Sequence, residues 1–366
     1  MVIAVNLRSL SGDTASAAML QGCFIKLAVS NPAVQIVFIS NEAVHIDSEL
    51  PNVKIVVLKQ RSQNPVLWKW WYNYKLPSLL KKINASILVH AGAACSLKTK
   101  IPQFVFVTDI SLLQASPWEQ KKYGRFLRSG ATQFLNKVEG VFTASQYIKS
   151  KLEAKFEYKK AIVLYPFPAE NLQPLKWSVA ETVKEKFTGG KEYFLYAGAL
   201  NNGANLIHLL KAFSFFKKRQ KSNMQLVLLA TEGFPGNDLE ASLRTYKFRD
   251  EVKLLTGLNP NEQQEIVAAA YAFVYPVLGE HEMSSLLNTI CYGVPVITSA
   301  SETVKEILGD AVLHTDPGSF EDIAQKMMLV FKDEAIRDEY IRRAAQKVTG
   351  YDINKAVALI KKTIAQ

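Results

Sequence analysis

The segment Tyr193-Phe-Leu-Tyr-Ala-Gly198-Ala-Leu-Asn-Asn-Gly-Ala-Asn205-Leu206 decides the fold. Tyr193 to Tyr196 is an apolar run of strand length that closes at Ala197-Gly198, and apolar residues at helical spacing follow from Leu206 to Lys218. A strand, a loop and a helix in that order make the first half of a crossover unit, and Gln225–Ala230 supplies its second strand. Downstream the alternation continues. Leu239–Tyr246 reads as a helix, Val252–Leu255 and Ala272–Tyr275 as strands, Ser284–Tyr292 as a helix and Val294–Thr298 as a strand. Phe320–Phe331 and Glu334–Val348 read as two closing helices.

Upstream, Tyr165-Pro-Phe-Pro168 interrupts the pattern, because its prolines favour an extended connector and cannot continue a helix. Before that break lies a similar series. Val2–Leu7, Val34–Ile39, Val53–Leu58, Ala85–His90, Gln103–Thr108, Gly140–Thr143 and Ala161–Leu164 read as strands. Ala15–Val29, Leu67–Lys82 and Gln120–Val138 are helix-length segments between them. No Asn-Gly hairpin turn joins these strands, which implies crossovers and parallel pairing. The expected architecture is α/β: two doubly wound Rossmann-like domains, residues 1–166 and 167–350, with the carboxyl ends of their sheets facing across a cleft. Ile353, Ala356, Val357, Ile360 and Ile364 keep helical spacing, so a terminal helix within 351–366 is expected to cross back onto the first domain.

Composition narrows the class. With 366 residues, 48% hydrophobic and 21% charged, the chain has the make-up of two globular domains, not of a disordered or fibrous protein. No uncharged apolar run reaches the length of about 18 residues that a membrane span needs. Met1–Leu10 lacks the basic start and long apolar middle of a signal peptide. Cys23, Cys95 and Cys291 are far apart and odd in number, which argues against a disulfide framework and suits a reducing cytoplasm. His45, His90, His208, His281 and His314 lack metal-ligand spacing, so no metal site is expected.

The net charge of +11 is unevenly placed. Lys59, Arg61, Lys69, Lys75, Lys81 and Lys82 occur with no acid among them, interleaved with Trp68, Trp70, Trp71, Tyr72 and Tyr74. Lys121, Lys122, Arg125, Arg128 and Lys137 form a second basic stretch. These are either solvated faces over an aromatic core or surfaces for anions, the Trp68–Lys82 stretch suggesting peripheral contact with an anionic membrane rather than nucleic acid.

The second half resembles the retaining glycosyltransferases of family 4, the glycosyl transferases group 1, of the GT-B class. The resemblance rests on Tyr193-Phe-Leu-Tyr-Ala-Gly198, Leu206, Leu209, Leu210, Ala212 and Phe213. It continues through Tyr275-Pro276, Gly279-Glu280, Gly293-Val-Pro-Val-Ile297, Glu306, Gly309-Asp-Ala311 and Asp316-Pro317. Ile3–Gly12, Val105–Ile110 and Thr143-Ala-Ser-Gln146 resemble the family's first half more loosely. The resemblance implies a metal-independent transferase with no cofactor, whose substrate is a nucleotide-sugar donor.

Its implied donor-binding residues are Gly12, Gly198, Asn205, His281, Ser284, Ser285 and Asn288. Its implied catalytic residues are Asp109 and Glu280, with Thr108 and Ser145 on the acceptor side. The chain departs from the pattern at several of these positions. Ala199 and Ala204 stand where the family places an Arg and a Lys on the donor diphosphate, and Asn288 stands for its second Glu. Thr108 precedes Asp109 where a His is common, and Ser11-Gly12-Asp13 keeps one glycine of a pair. Asp109 either bonds a sugar hydroxyl or caps a turn; Ser145 either touches phosphate or forms its turn. Asn205 and Ser284 or Ser285 are expected to cap the helices that follow them. Arg8, Lys305 or lysines of the first domain are the remaining sources of charge for a diphosphate.

Two functions follow. One is retaining transfer of a hexose from a nucleotide-diphosphate sugar to a saccharide or lipid-linked acceptor, in polysaccharide biosynthesis at the cytoplasmic membrane face. The alternative is a degenerate, catalytically inactive GT-B protein that binds a glycan, nucleotide or partner.

Overall fold

Seven strands build the first sheet: β1 (Val2–Asn6), β2 (Gln35–Ser40), β3 (Val53–Val57), β4 (Ile87–His90), β5 (Gln103–Val107), β6 (Gly140–Thr143) and β7 (Ala161–Val163). This is a computed structural model, describing residues 1–8, 15–41, 50–58, 64–108, 121–158, 160–231, 237–279 and 283–365. The strands pair in parallel in the order β3-β2-β1-β4-β5-β6-β7. Helices cover both faces of such a sheet, so its central strands are apolar throughout instead of alternating. In β4 and β5 every residue is buried, whereas β3, at the edge, leaves Lys54 in solvent. The connecting helices are α1 (Ala15–Ser30), α2 (Pro65–Trp70), α3 (Leu76–Lys82), α4 (Lys121–Lys137) and α5 (Gln146–Phe156).

The helix expected over Leu67–Lys82 is present but not uniform. Between α2 and α3 the segment Trp71–Lys75 is a π-helical turn, in which the Leu76 N–H donates to the Trp71 carbonyl five residues back. Pro77 explains the widening. It has no N–H for the Asn73 carbonyl, and its ring would strike that carbonyl in a regular α-helix. The extra residue in the turn also brings the consecutive Trp71 and Tyr72 onto the buried side.

The second sheet contains β8 (Tyr193–Gly198), β9 (Gln225–Ala230), β10 (Val252–Leu255), β11 (Ala272–Tyr275), β12 (Val296–Ser299) and β13 (Leu313–Thr315). These are also parallel, in the order β10-β9-β8-β11-β12-β13. Around them lie α6 (Trp177–Thr188), α7 (Leu206–Gln220), α8 (Asn237–Arg244), α9 (Pro260–Ala268), α10 (Met283–Cys291), α11 (Glu302–Leu308), α12 (Phe320–Lys332) and α13 (Glu334–Val348). The strand expected from Val294 begins at Val296 instead. Pro295 has no N–H for the ladder, although its carbonyl accepts from Phe273 N at 2.9 Å.

The chain divides into two units, Met1–Phe167 with Tyr351–Gln366, and Pro168–Gly350. The last helix, α14 (Ile353–Ile364), belongs to the first unit. Ile353, Ala356, Val357, Ile360 and Ile364 enter that unit's core, and Lys361 Nζ reaches Asn31 Oδ1 beside the end of α1 at 2.9 Å. Gly22 of α1 makes room for the contact, with Ile353 Cδ1 3.5 Å from where a Cβ would stand.

Candidate functional site

In each sheet the strand order reverses once, between β1 and β4 in the first and between β8 and β11 in the second. Loops leaving neighbouring strands at such a point run to opposite sides and open a crevice at the carboxyl edge.

In the second unit this crevice is built on the loop Ala199–Asn205. Its first residue is held by Tyr196, whose hydroxyl donates to the Ala199 carbonyl at 3.0 Å and whose ring stacks on Tyr275 at 5.5 Å. Gly198 is required at the strand end, because a Cβ there would stand 3.0 Å from Tyr196 Oη and 3.5 Å from Tyr275 Cε2. Across the crevice, Leu278 N–H donates to the Gly203 carbonyl at 2.8 Å.

Asn205 closes the loop. It takes the left-handed conformation at φ 57 and is buried, and its Nδ2 donates to the carbonyls of Pro276 at 2.9 Å and Pro317 at 2.7 Å. The expectation that its side chain caps α7 is therefore corrected. A left-handed residue aims its side chain away from the first turn, and no cap bond forms. Instead Asn205 ties together the loops after β8, β11 and β13. Replacing it with alanine should lower the stability of the second unit by about 3 kcal/mol, from two carbonyls left unpaired and a Cβ-bearing residue without local hydrogen bonds in the left-handed region. Differential scanning calorimetry reads this as a lower second-unit transition; an unchanged transition would refute the anchoring role.

The helices α7 and α10 both begin at this edge with no acid in their first turns, which favours an anion there, while Glu282 immediately before α10 in the sequence adds an opposing charge. Helix α10 starts at Met283, so Ser284 and Ser285 lie inside its first turn and not at the cap expected of them. Asn288 is one turn further on, and its Oδ1 accepts from Ala169 N–H at 2.8 Å, which latches the stretch after Phe167 to α10. Ala199 is exposed, but Ala204 is 2% exposed and so has no open solvent beside it. Lys305 projects from α11 in an exposed ion pair with Glu302 at 2.8 Å. Glu280 and His281 lie outside the described residues.

In the first unit a buried polar chain starts at the carboxyl ends of β1 and β4, where the order reverses. Asn6 Nδ2 donates to His90 Nδ1 at 3.1 Å, and His90 Nε2–H donates to Gln103 Oε1 at 3.2 Å. Gln103 completes the chain through Ser96, accepting from its N–H at 3.0 Å and donating to its carbonyl at 2.8 Å. Burial pushes the His90 imidazole down to about 4, so it is neutral and its two nitrogens keep distinct roles. Arg8, just past β1, lies 4.0 Å over the Trp71 ring and donates from Nε to Asn41 Oδ1 at 2.6 Å, its pKa lowered by burial. Thr108 follows β5 and is half-buried. Ser145 is fully buried and caps α5, accepting from Ile148 N at 3.2 Å. Gly12 and Asp109 lie outside the described residues.

Sequence reasoning assigned no site role to Asn6, Gln103, Tyr196 or Tyr275. Each is a buried polar or aromatic residue on a strand, and only the fold shows which partner it holds. The left-handed turn at Asn205 had a signal, since asparagine is the side-chain-bearing residue that tolerates it best.

Residues 180–348 match the glycosyl transferases group 1 family. The chain is 23% identical to O-antigen chain mannosyltransferase B of Escherichia coli over 63% of its length, a match spanning 61% of that relative. It is 23% identical to O-antigen chain mannosyltransferase RfbU of Salmonella typhimurium, over 87% of this chain and 84% of RfbU. Among solved structures, Anabaena HepE in complex with UDP and glucose superposes with a TM-score of 0.76 at 14% identity, covering 100% of this chain and 99% of HepE.

Proposed function

We propose, from a second unit that is a glycosyl transferases group 1 domain within a GT-B fold, that this protein is a glycosyltransferase using a nucleotide-diphosphate sugar. The observation that carries the reading is the loop Ala199–Asn205, pinned at the reversal of the second sheet beside the starts of α7 and α10. That arrangement offers fixed N–H groups where a leaving diphosphate gains charge. The acceptor is a saccharide or lipid-linked saccharide, as the O-antigen mannosyltransferase relatives suggest, and the sugar is a hexose transferred with retention. In the reaction the bond from the anomeric carbon to the diphosphate oxygen breaks. An acceptor hydroxyl oxygen bonds to the same face of that carbon and gives up its proton to the departing diphosphate oxygen. Asp109 and Glu280 are the residues assigned to this step.

Calorimetric titration with UDP-, GDP- and ADP-sugars and the free nucleotides tests the reading, and micromolar binding of one donor is expected. Chelation of divalent cations should leave both binding and turnover unchanged. Because Ala199 is exposed, Ala199→Arg can be accommodated and should tighten donor binding about tenfold through a charge-assisted contact with the diphosphate. Ala204→Lys would place an ammonium at a buried position and is the poorer test. Well-folded protein that binds no donor, with or without Ala199→Arg, would sink the transferase reading. It would leave the inactive binding module, which the missing cations at 199 and 204 favour.

A further inference from the structure

The surface of α2, the π-helical turn and α3 carries an apolar row that folding does not use. Val66 is 70% exposed, Leu67 39%, Trp70 46% and Tyr74 61%. At about 100° per residue these positions fall within roughly 100° of one another around the axis, so they form one stripe. Trp68, Trp71, Tyr72, Leu76 and Leu80 point to the other side and are buried in the first unit's core. The stripe holds an indole and a phenol, rings whose amphipathic character suits the boundary between headgroups and acyl chains.

Cations surround it. Lys69, Lys81 and Lys82 are exposed and Lys75 is half-buried. From Pro51 to Thr108 the chain has nine Lys and Arg and no Asp or Glu. Phe126 of α4 packs against Trp68 at 5.4 Å and Tyr72 at 6.4 Å, so this acid-free helix, with Lys122 and Arg125 exposed, lies against the buried side of α2. No helix among the described residues is long and apolar enough to cross a membrane.

We propose that this face docks the first unit on an anionic lipid surface, with the stripe at the headgroup–acyl boundary and the lysines at the level of the lipid phosphates. Charge alone would suit any polyanion. A nucleic acid, however, would pair with the lysines through its phosphates and leave Val66 and Leu67 in water, whereas a bilayer offers apolar matter directly beneath its charge. The inference extends the transferase reading by placing the enzyme where a lipid-linked acceptor is presented. Vesicle binding needs neither donor nor acceptor, so the two can fail separately.

The test is sedimentation of the full chain with phosphatidylcholine vesicles and with vesicles of phosphatidylcholine and phosphatidylglycerol in equal parts. Binding to the mixed vesicles alone is expected, with a blue shift of tryptophan emission that Trp70→Phe reduces. Trp70→Ser combined with Tyr74→Ser should weaken partitioning about tenfold, and Lys81→Gln or Lys82→Gln about fivefold each. All four side chains are exposed or half-exposed, so these variants keep the fold. Failure to sediment with mixed vesicles at low salt overturns the proposal. So does an aromatic double variant that sediments like the parent while duplex DNA competes the protein off, which would make the face a general polyanion surface.

Discussion

Replacing Lys217 with methionine should destabilise the second unit by about 3–5 kcal/mol, from two carbonyls left unpaired and a half-buried carboxylate stranded beside them. Lys217 is in the last turn of α7 and is 5% exposed. Its ammonium donates to the carbonyls of Ser222 and Met224, the latter at 3.1 Å, and pairs with the carboxylate of Glu251. The stem lies against Phe213, with Nζ 5.8 Å from the ring centre. Methionine preserves the stem and deletes the charge, so two carbonyls and one carboxylate lose their partner together. In differential scanning calorimetry the second-unit transition should fall by about 6–20 °C, given the shift per kcal/mol for a unit of this size. Adding Glu251→Gln should recover part of the loss, because the stranded charge is then gone. A shift of only a degree or two would show that Lys217 is a solvated residue folded against the surface.

The second large effect is acid sensitivity of the first unit. His90 titrates near 6.5 in the unfolded chain and at about 4 in the fold, where burial opposes its charged form. Between those values the unfolded chain binds the extra proton, so stability is complete above about pH 6.5, declines as pH falls, and levels off below about pH 4. The displacement corresponds to about 3 kcal/mol, undiminished by solvent because the ring is wholly buried. Its neighbours do not offset the change: Asn6 and Gln103 are neutral amides, and the Tyr72 ring, 5.8 Å away, is raised by burial and stays protonated. Trp68 and Trp71 are buried reporters of this unit, and Trp177→Phe removes the second unit's tryptophan. Denaturant midpoints of that variant should fall from pH 6.5 to pH 4. With His90→Gln added, the part of the slope owed to this group should vanish whatever the absolute stability. An equal slope in both proteins would assign the acid response elsewhere.

Both sheets were legible in the sequence because strands covered on two faces are written as continuous apolar runs such as Gln225–Ala230 and Tyr193–Tyr196. Four helices were not read: Gln146–Phe156, Trp177–Thr188, Pro260–Ala268 and Glu302–Leu308. They are short and only partly buried, which blurs the apolar period. Three of them announce themselves by their caps, Ser145, Asn259 with Glu262, and Ser301, and α9 has a full capping box. At the candidate site, the Asn205 side chain was misassigned because capping assumes an extended backbone at that residue, whereas a left-handed one redirects it to carbonyls distant in sequence. Arg8 stood out only as a source of charge, and its place over Trp71 is a contact spanning more than sixty positions that no local pattern encodes.

The return of the chain at Gly350 dictates an order of construction. A growing polypeptide leaves the ribosome from its amino end, and Met1–Phe167 emerges first. Its core nevertheless includes Ile353, Ala356, Val357, Ile360 and Ile364, which are translated only after all of Pro168–Gly350. The later-made second unit can therefore finish folding before the earlier-made first one. Until α14 arrives, the nascent first unit must wait with the apolar flank of α1 uncovered, a window in which a chaperone would find its longest-lived target.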